Sequence, residues 1–336
     1  MKRPARWFWL LAGAVLLCAY AATALGQHAG QVVWEWDWPR KLFTPDGDPA
    51  LARIIGLLRL PRVLGAILIG AALAPAGLVL QSVSRNPLAD PFLLGISGGA
   101  ALGVVVANAL GASGGGMGLW FIPAVAFLGA QGATILVLSI ARGPGQRVSL
   151  LGLVLGGVVI NAFCSAIIVL LLTQFEPLKL RITTAWLAGG LGYLTWSQLA
   201  VGAVGVLVAL VVLGFRSREI NAFALGEEGA RLVGVNASRV LYEVTWAASV
   251  LAGLAVSLGG LIGYIGLIVP HLVLMMSRRN FLPNLWLSAL LGALVLLVAD
   301  TLARTLLSPQ EIPVGVLTAL VGTPALLVLL RREMRR

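Results

Sequence analysis

Ten runs of mostly apolar residues, each about as long as a membrane span, constrain this chain more than any other feature. A helix needs about 20 apolar residues to cross the hydrocarbon core of a bilayer. Hydrophobic residues make up 59% of the 336 positions and charged residues only 11%, unlike an ordinary soluble domain. The runs lie at 7–26, 62–81, 92–111, 119–141, 149–173, 196–215, 240–259, 262–277, 284–303 and 314–330. The sequence therefore predicts an all-α, polytopic membrane protein with about ten transmembrane helices in one domain, residues 1–336.

The first run has two interpretations. Basic residues precede it, and Ala22-Thr23-Ala24 resembles a signal-peptide cleavage site. Its apolar core is longer than that of a usual signal peptide, so we interpret it as a retained helix.

The distribution of Lys and Arg predicts the orientation of the chain. With the N-terminus in the cytoplasm, 16 of the 24 basic residues fall inside and eight outside. Because positive charge is enriched in cytoplasmic loops, we expect both termini to be cytoplasmic. This bias and anionic lipid account for the net charge of +11, so nucleic acid is not an expected partner.

A faint internal repeat appears when the sequence is shifted by 183 positions. The shift superimposes residues in and just after the second run on residues in and after the seventh, including Gly70 on Gly253, Leu78 on Leu261 and Pro87 on Pro270. These two runs would cross the membrane in opposite directions. The pattern indicates a possible inverted repeat, as in many transporters, although chance matches are common in runs rich in Ala, Gly and Leu.

The segment SVSRNPLADP, at 82–91, interrupts two apolar runs with a polar joint. Pro87 and Pro91 cannot continue a helix, and each favours an extended conformation at the residue before it. Asn86 and Asp90 can cap the following turn through their side-chain oxygens. The joint is predicted to be a stiff cytoplasmic turn, for which a plain helix connection is the simpler alternative.

Ionisable groups are scarce within the predicted spans. Glu243, Asp300 and His271 each lie near a predicted span end, and we interpret them as interfacial or capping groups rather than an ion relay. None of the three lysines follows a glycine, so the chain has no phosphate-binding loop of its own. We predict no enzymatic activity, no metal site and no cofactor.

The polar stretch 216–239 is the longest internal cytoplasmic segment that the topology predicts. It is predicted to form two short helices with a break near Gly234 and Asn236. Small residues within it favour a surface that another protein approaches closely, and a solvated loop is the alternative. These small residues are Gly226, Gly229, Ala230 and Gly234.

Four separated motifs resemble one known family. They are RLPRVLGAILIGAALAPAGLVLQSVSRNPLADPFLLGISGGAALG, ALGEEGARLVGV, GGLIGYIGLIVPHL and ADTLARTLLSPQEIPVGVLTALVGTP. In this order they are similar to the FecCD family, permeases of bacterial ABC importers for iron chelates, haem and cobalamin. The resemblance implies a homodimer in the bacterial inner membrane that imports such a substrate. It also implies separate ABC ATPase subunits, a periplasmic substrate-binding protein and contact with membrane lipid.

The same resemblance implies roles for particular residues. Asn86 and Leu88 would be gate residues at the cytoplasmic end of the translocation path. The arginines Arg59, Arg62 and Arg304 would contact acidic residues of the binding protein. The 223–239 segment would hold the helices that couple to the ATPase, with coupling residues Gly226, Glu227, Gly229, Ala230 and Gly234.

One position departs from the family pattern. Leu274 stands three residues after His271, where the family usually has an arginine. Arg278 or Arg279 is a possible substitute.

Two other classes of protein remain as alternatives. An ion-coupled secondary transporter working alone would need buried carboxylates, which are scarce here. A structural or assembly subunit would not need the gate and coupling motifs. Substrate identity cannot be read from the sequence, because the path is apolar and selectivity is expected to rest with the binding protein.

Overall fold

The computed structural model describes residues 3–28, 31–43, 49–111, 119–142, 148–192, 194–277 and 280–333. Nearly all regular structure in these ranges is helical. The α-helices are α1 Arg3–Ala24, α2 Trp38–Phe43, α3 Pro49–Ile54, α4 Leu60–Ser84, α5 Ile96–Ala109, α6 Phe121–Ala141, α7 Leu150–Leu172, α8 Pro177–Leu187, α9 Trp196–Phe215, α10 Ser217–Ala222, α11 Gly226–Leu232, α12 Ala237–Gly259, α13 Ile265–Met276, α14 Phe281–Thr305 and α15 Val314–Glu333.

The all-α class is confirmed, and each of the ten predicted runs contains an apolar helix. Within the described ranges, seven helical segments are long and apolar enough to cross a membrane: those at α1, α3–α4, α6, α7, α9, α12 and α14. The apolar helices α5, α13 and α15 are shorter by the same measure. A 3₁₀ helix, Pro91–Leu94, precedes α5. The run at 92–111 therefore consists of two helical pieces joined at Gly95.

Some local structure was not predicted. Strands β1 (Leu25–His28) and β2 (Gln31–Trp34) form a small antiparallel hairpin directly after α1. Helices α2 and α3 follow, and a π-helical turn, Ile55–Arg59, leads from α3 into α4. Helix α8 lies between α7 and α9. Each of these elements is too short to show a clear apolar period in the sequence.

Helix α4 occupies the centre of the bundle. In its most apolar stretch 78% of the residues are buried, against 22% in α7. It packs against α9, α12, α13 and α14. The helix is therefore the element around which the other spans assemble, while α7 presents most of its apolar surface outward.

Glycines allow α4 to approach its neighbours at backbone distance. A Cβ added to Gly70 would lie 2.2 Å from the carbonyl oxygen of Gly292 on α14. One added to Gly77 would lie 1.6 Å from the carbonyl oxygen of Gly266 on α13. Apolar surface gives no net attraction between helices in lipid, so close packing of this kind holds a membrane bundle together.

The predicted repeat stays a prediction. Helix α4 is followed by the joint and the short helix α5, and α12 is followed by a short break and the short helix α13. Pro87 lies in the joint, however, whereas its counterpart Pro270 lies inside α13.

Candidate functional site

The joint between α4 and α5 is a tight turn whose two predicted caps are both present. The Leu88 N–H donates to Asn86 Oδ1 at 2.9 Å, and the Phe92 N–H donates to Asp90 Oδ1 at 2.8 Å. Arg85 ends α4 with a left-handed backbone, φ 52°. The capping prediction is therefore confirmed, and the turn is fixed by its own side chains.

Within the joint, Asn86 and Leu88 are both exposed, and Asp90 is partly buried. Burial raises the pKa of Asp90 to about 6, although the bond from the Phe92 N–H works against this shift. The structure thus places the two predicted gate residues at the surface end of α4. Their gate role stays a prediction.

The predicted coupling segment lies beside the joint. Arg85 Nη1 lies 3.3 Å from the position that a Cβ would occupy on Gly226. Gly226 and Gly234 both have φ +86°, a backbone conformation that favours glycine. The segment consists of α10, a 3₁₀ turn at Phe223–Leu225, and α11, followed by a break before α12. The predicted short helices and the break near Gly234 are confirmed.

Ala230 does not lie on the exposed surface that its small side chain was predicted to form. It is 0% exposed and is buried within this chain. Gly229 faces Leu225 of the same segment, because an added Cβ would lie 2.6 Å from Leu225 Cβ. These two residues therefore pack the segment against its own chain, and their coupling role stays a prediction.

The exposed apolar side chains of the segment were missed by the sequence reasoning. Leu232 is 89% exposed, and Leu225 and Val233 are also largely exposed. Glu227, a predicted coupling residue, pairs with Arg231 one turn along α11. The exposed part of the segment thus includes three apolar side chains and an ion pair.

Arg62 and Arg304 lie at the opposite end of α4 and share a buried carboxylate. Asp300, on α14, is 0% exposed. Its oxygens lie 2.9 Å from an Arg62 nitrogen and 3.6 Å from Arg304 Nε. Arg62 also contacts Glu311 at 2.9 Å. Glu311 is 48% exposed, which makes it the accessible member of this group.

Arg59 is buried in the same region and pairs with Glu35, also buried, at 3.0 Å. Arg59 also donates to the carbonyl of Thr23, and Arg304 donates to the carbonyl of Ala22. These carbonyls belong to the last turn of α1, where backbone acceptors lack partners within the helix. The arginines therefore cap α1 and fix the hairpin end of the bundle.

We call these six residues the outer charge cluster: Glu35, Arg59, Arg62, Asp300, Arg304 and Glu311. The structure brings the three predicted docking arginines together, but each already faces carboxylates of its own chain. Contact with acidic residues of another protein stays a prediction, and it would require the arginines to share or exchange these partners. Asp300 was interpreted as an interfacial or capping group. It is instead the buried centre of the cluster.

The structure also places the other residues singled out in the sequence. His271 is partly buried on α13. Glu243, on α12, pairs with Arg216 at 2.6 Å and with Arg239 at 2.9 Å. Leu274 is partly buried on α13. Arg278 and Arg279, the possible substitutes for the family arginine, lie outside the described residues.

The bundle of apolar helices, with a capped joint at one end and a charge cluster at the other, is that of a multi-pass membrane protein. The chain belongs to the FecCD transport family, whose model matches residues 9–332.

Two relatives of named function match almost the whole length of the chain. The hemin transport system permease protein HmuU of Yersinia pestis is 39% identical over 300 residues, covering 88% of each chain. The vitamin B12 import system permease protein BtuC of Escherichia coli is 36% identical over 330 residues, covering 97% of this chain and 96% of that protein. The present chain is accordingly a permease subunit of an ABC importer.

A solved structure supports the fold over the whole chain. It is described as a metal-chelate type ABC transporter in an inward-facing conformation. Superposition gives a TM-score of 0.83 at 31% identity, and covers 97% of this chain and 98% of that one.

Proposed function

We propose that this chain moves an iron complex, haem or cobalamin from the periplasm to the cytoplasm, with ATP hydrolysis in a separate chain. The relatives that transport hemin and import vitamin B12 support this range of substrates. The observation that carries the mechanism is that the joint and the coupling segment pack together at one end of α4. A force applied to the segment therefore acts directly beside the gate.

The chain itself serves transport and not catalysis in this proposal. The fully buried carboxylate Asp300 is held by Arg62 and Arg304. Such a group does not suit reversible binding of a proton or sodium ion. This argues against the stand-alone ion-coupled alternative.

The proposed assembly contains two copies of the chain in contact through α7. Among the described helices that are long enough to span a membrane, α7 is the least buried. Its exposed side chains include Val154, Val158 and Phe163. Such an apolar face suits contact with lipid and also contact with the same face of a second copy. Because the family resemblance implies a homodimer, we propose contact with the second copy.

The proposed orientation places the coupling segment in the cytoplasm of a bacterial inner membrane. Arg85, Arg216 and Arg231 all lie at that end of the bundle, in keeping with the positive-inside rule. The outer charge cluster then faces the periplasm, where the substrate-binding protein docks. Both termini are cytoplasmic in this arrangement.

Copurification with the ATPase tests the proposed coupling surface. Leu232→Asp puts a charge into the exposed apolar surface, and we expect it to lower the amount of ATPase retained about tenfold or more, as for a hot-spot residue. Leu307→Asp is the matched control, because Leu307 is 62% exposed at the outer end. Equal retention by both variants would contradict the proposal. Ala230 is unsuitable for this test, since changing it would disturb the chain's own packing.

A further inference from the structure

Two side-chain amides hold the backbone of the joint and of the helical pieces that follow it. One belongs to Asn161, in the middle of α7, and the other to Gln81, near the end of α4. Both residues interrupt strongly apolar stretches. A polar group within a membrane span is costly, so such groups tend to persist for a specific purpose.

Asn161 bridges the two helical pieces that meet at Gly95. Its Nδ2 donates to the carbonyl of Phe92 at 2.9 Å, and its Oδ1 accepts from the Gly98 N–H at 3.0 Å. The Gly98 N–H lies in the first turn of α5 and so has no acceptor within that helix. Asn161 thus satisfies one group on each side of Gly95, where φ is +79°. This fixes the angle between the joint and α5.

Two glycines make this contact possible. A Cβ on Gly157 of α7 would lie 1.5 Å from the carbonyl oxygen of Leu93 in the 3₁₀ helix. A Cβ on Gly98 would lie 2.5 Å from Asn161 Oδ1. The backbone of α7 therefore packs directly against the backbone of the 3₁₀ helix that follows the joint. A displacement of α7 would be transmitted to this helix without intervening flexible side chains.

Gln81 connects the other side of the joint to α13. Its Nε2 donates to the carbonyl of Leu267 at 2.9 Å and more weakly to that of Ala89 at 3.4 Å. The Gln81 side chain is buried. Its Oε1 has no hydrogen-bond partner among the described residues. The Ala89 carbonyl of the joint is therefore bonded to Gln81 of α4, which also bonds to α13 through the Leu267 carbonyl. The 3₁₀ helix that follows the joint is bonded to α7 through the Phe92 carbonyl.

We propose that Asn161, assisted by Gln81, is a positioning residue that locks the bend at Gly95 and couples movement of α7 to the gate joint. Asn161 does not touch the substrate in this proposal. It acts through the Phe92 carbonyl and the Gly98 N–H, and hence on the joint that carries Asn86 and Leu88. The inference rests on the proposed function, because it takes the joint to be a transport gate.

The test uses the full complex with its ATPase and binding protein in vesicles. Leu88→Cys, with Cys18 and Cys164 replaced by alanine, supplies a thiol whose labelling rate reports on the mobility of the joint. Asn161→Leu removes two hydrogen bonds. We expect labelling to be at least about fivefold faster, since about fivefold corresponds to the loss of one typical hydrogen bond. With Leu88 intact, Asn161→Leu should also lower the amount of substrate moved per ATP hydrolysed.

Asn108→Leu is the matched control. Asn108 is buried on α5 and donates to Thr183 Oγ1 at 2.9 Å, far from the joint. This variant loses a comparable bond, so it should lower thermal stability similarly while leaving the labelling rate and the transport ratio unchanged. Gln81→Met, which keeps side-chain length without the amide, provides a second test of the same joint should Asn161→Leu fail to insert.

Faster labelling in the Asn161 or Gln81 variants, and not in the Asn108 variant, would support the proposal. Unchanged labelling, or an equal increase in all three variants, would overturn it. The labelling measurement needs no substrate. Failure of the unaltered complex to transport would therefore count against the proposed function and not against the locked bend.

Discussion

At the scale of single residues, the outer charge cluster shows how charge is tolerated within this apolar chain. Three arginines and three carboxylates balance one another, and spare donors cap the last turn of α1. Buried ion pairs are weak evidence for net stability, but removing one partner leaves an uncompensated charge. The centre of the cluster is therefore more sensitive than its accessible edge.

Asp300→Asn tests this difference. The change leaves Arg62 and Arg304 without their shared carboxylate, and we expect a loss of about 3 kcal/mol in unfolding free energy. Glu311→Gln removes the half-exposed partner and should cost less than about 1 kcal/mol. Unfolding of the purified protein in detergent measures both. Equal effects of the two substitutions would show that Asp300 is not the centre of the cluster.

Asp90 gives the joint a dependence on pH. Because its pKa is about 6 in the folded protein and 3.8 ordinarily, the folded state holds a proton that the unfolded state has released between these values. Stability therefore falls as pH rises from about 4 to about 6 and is then constant with respect to this group. The thermal unfolding midpoint should follow this trend.

Asp90→Asn isolates the contribution of this carboxyl group. The asparagine Oδ1 can still accept from the Phe92 N–H, but it does not titrate. The thermal unfolding midpoint of the variant minus that of the wild type should increase as the pH is raised from 4.5 to 7. A constant difference across this range would contradict a raised pKa for Asp90.

Residue positions were only partly predictable from the sequence. The caps at Asn86 and Asp90 follow from local turn chemistry, and both were predicted. The burial of Ala230 and the hydrogen bond between the Gly98 N–H and Asn161 depend on elements far apart in sequence. Local sequence patterns therefore do not reveal them. An amide inside an apolar run was the available signal for Asn161 and Gln81.

At the scale of elements, the bundle depends on backbone approach between helices. Helix α4 meets α14 where Gly70 faces Gly292, and it meets α13 where Gly77 faces Gly266. Long apolar runs were sufficient to predict the spanning helices. The short hairpin and α8 could not be predicted in this way, because tertiary contacts rather than a long apolar period define them.

Gly70→Leu should disrupt the crossing of α4 and α14. The added side chain would meet the backbone of Gly292, which cannot move as a flexible side chain can, so we expect a cost above the usual range of about 1–3 kcal/mol for overpacking. Gly132→Leu on α6 is the control, since an added Cβ there meets nothing within 4 Å. Thermal stability in detergent compares them. Similar stability of the two variants would contradict close packing at Gly70.

At the scale of the whole molecule, the two ends of the bundle have different chemistry. The 25 residues of α4 span about 37 Å, longer than a hydrocarbon core of about 30 Å, so its ends reach both membrane surfaces. The outer charge cluster lies at one end, and the joint and coupling segment lie at the other. This arrangement agrees with transport from one face to the other.

Thiol labelling in intact cells tests the orientation. A cysteine at Ser308, near the outer charge cluster, should react with an impermeant reagent from outside, whereas one at Ser217 in α10 should not. Ser113 is a further outer position in the predicted topology, but it lies outside the described residues. The reverse labelling pattern would show that the molecule is inserted the other way round.

The most direct test of the central claim is uptake by vesicles that contain this chain with its ATPase and binding protein. Haem, an iron chelate and cobalamin are supplied in turn on the side of the outer charge cluster, and ATP on the side of the coupling segment, without an ion gradient. We predict that one of these substrates accumulates only when ATP and both partners are present. Uptake by this chain alone, driven by a proton or sodium gradient and indifferent to ATP, would contradict the account.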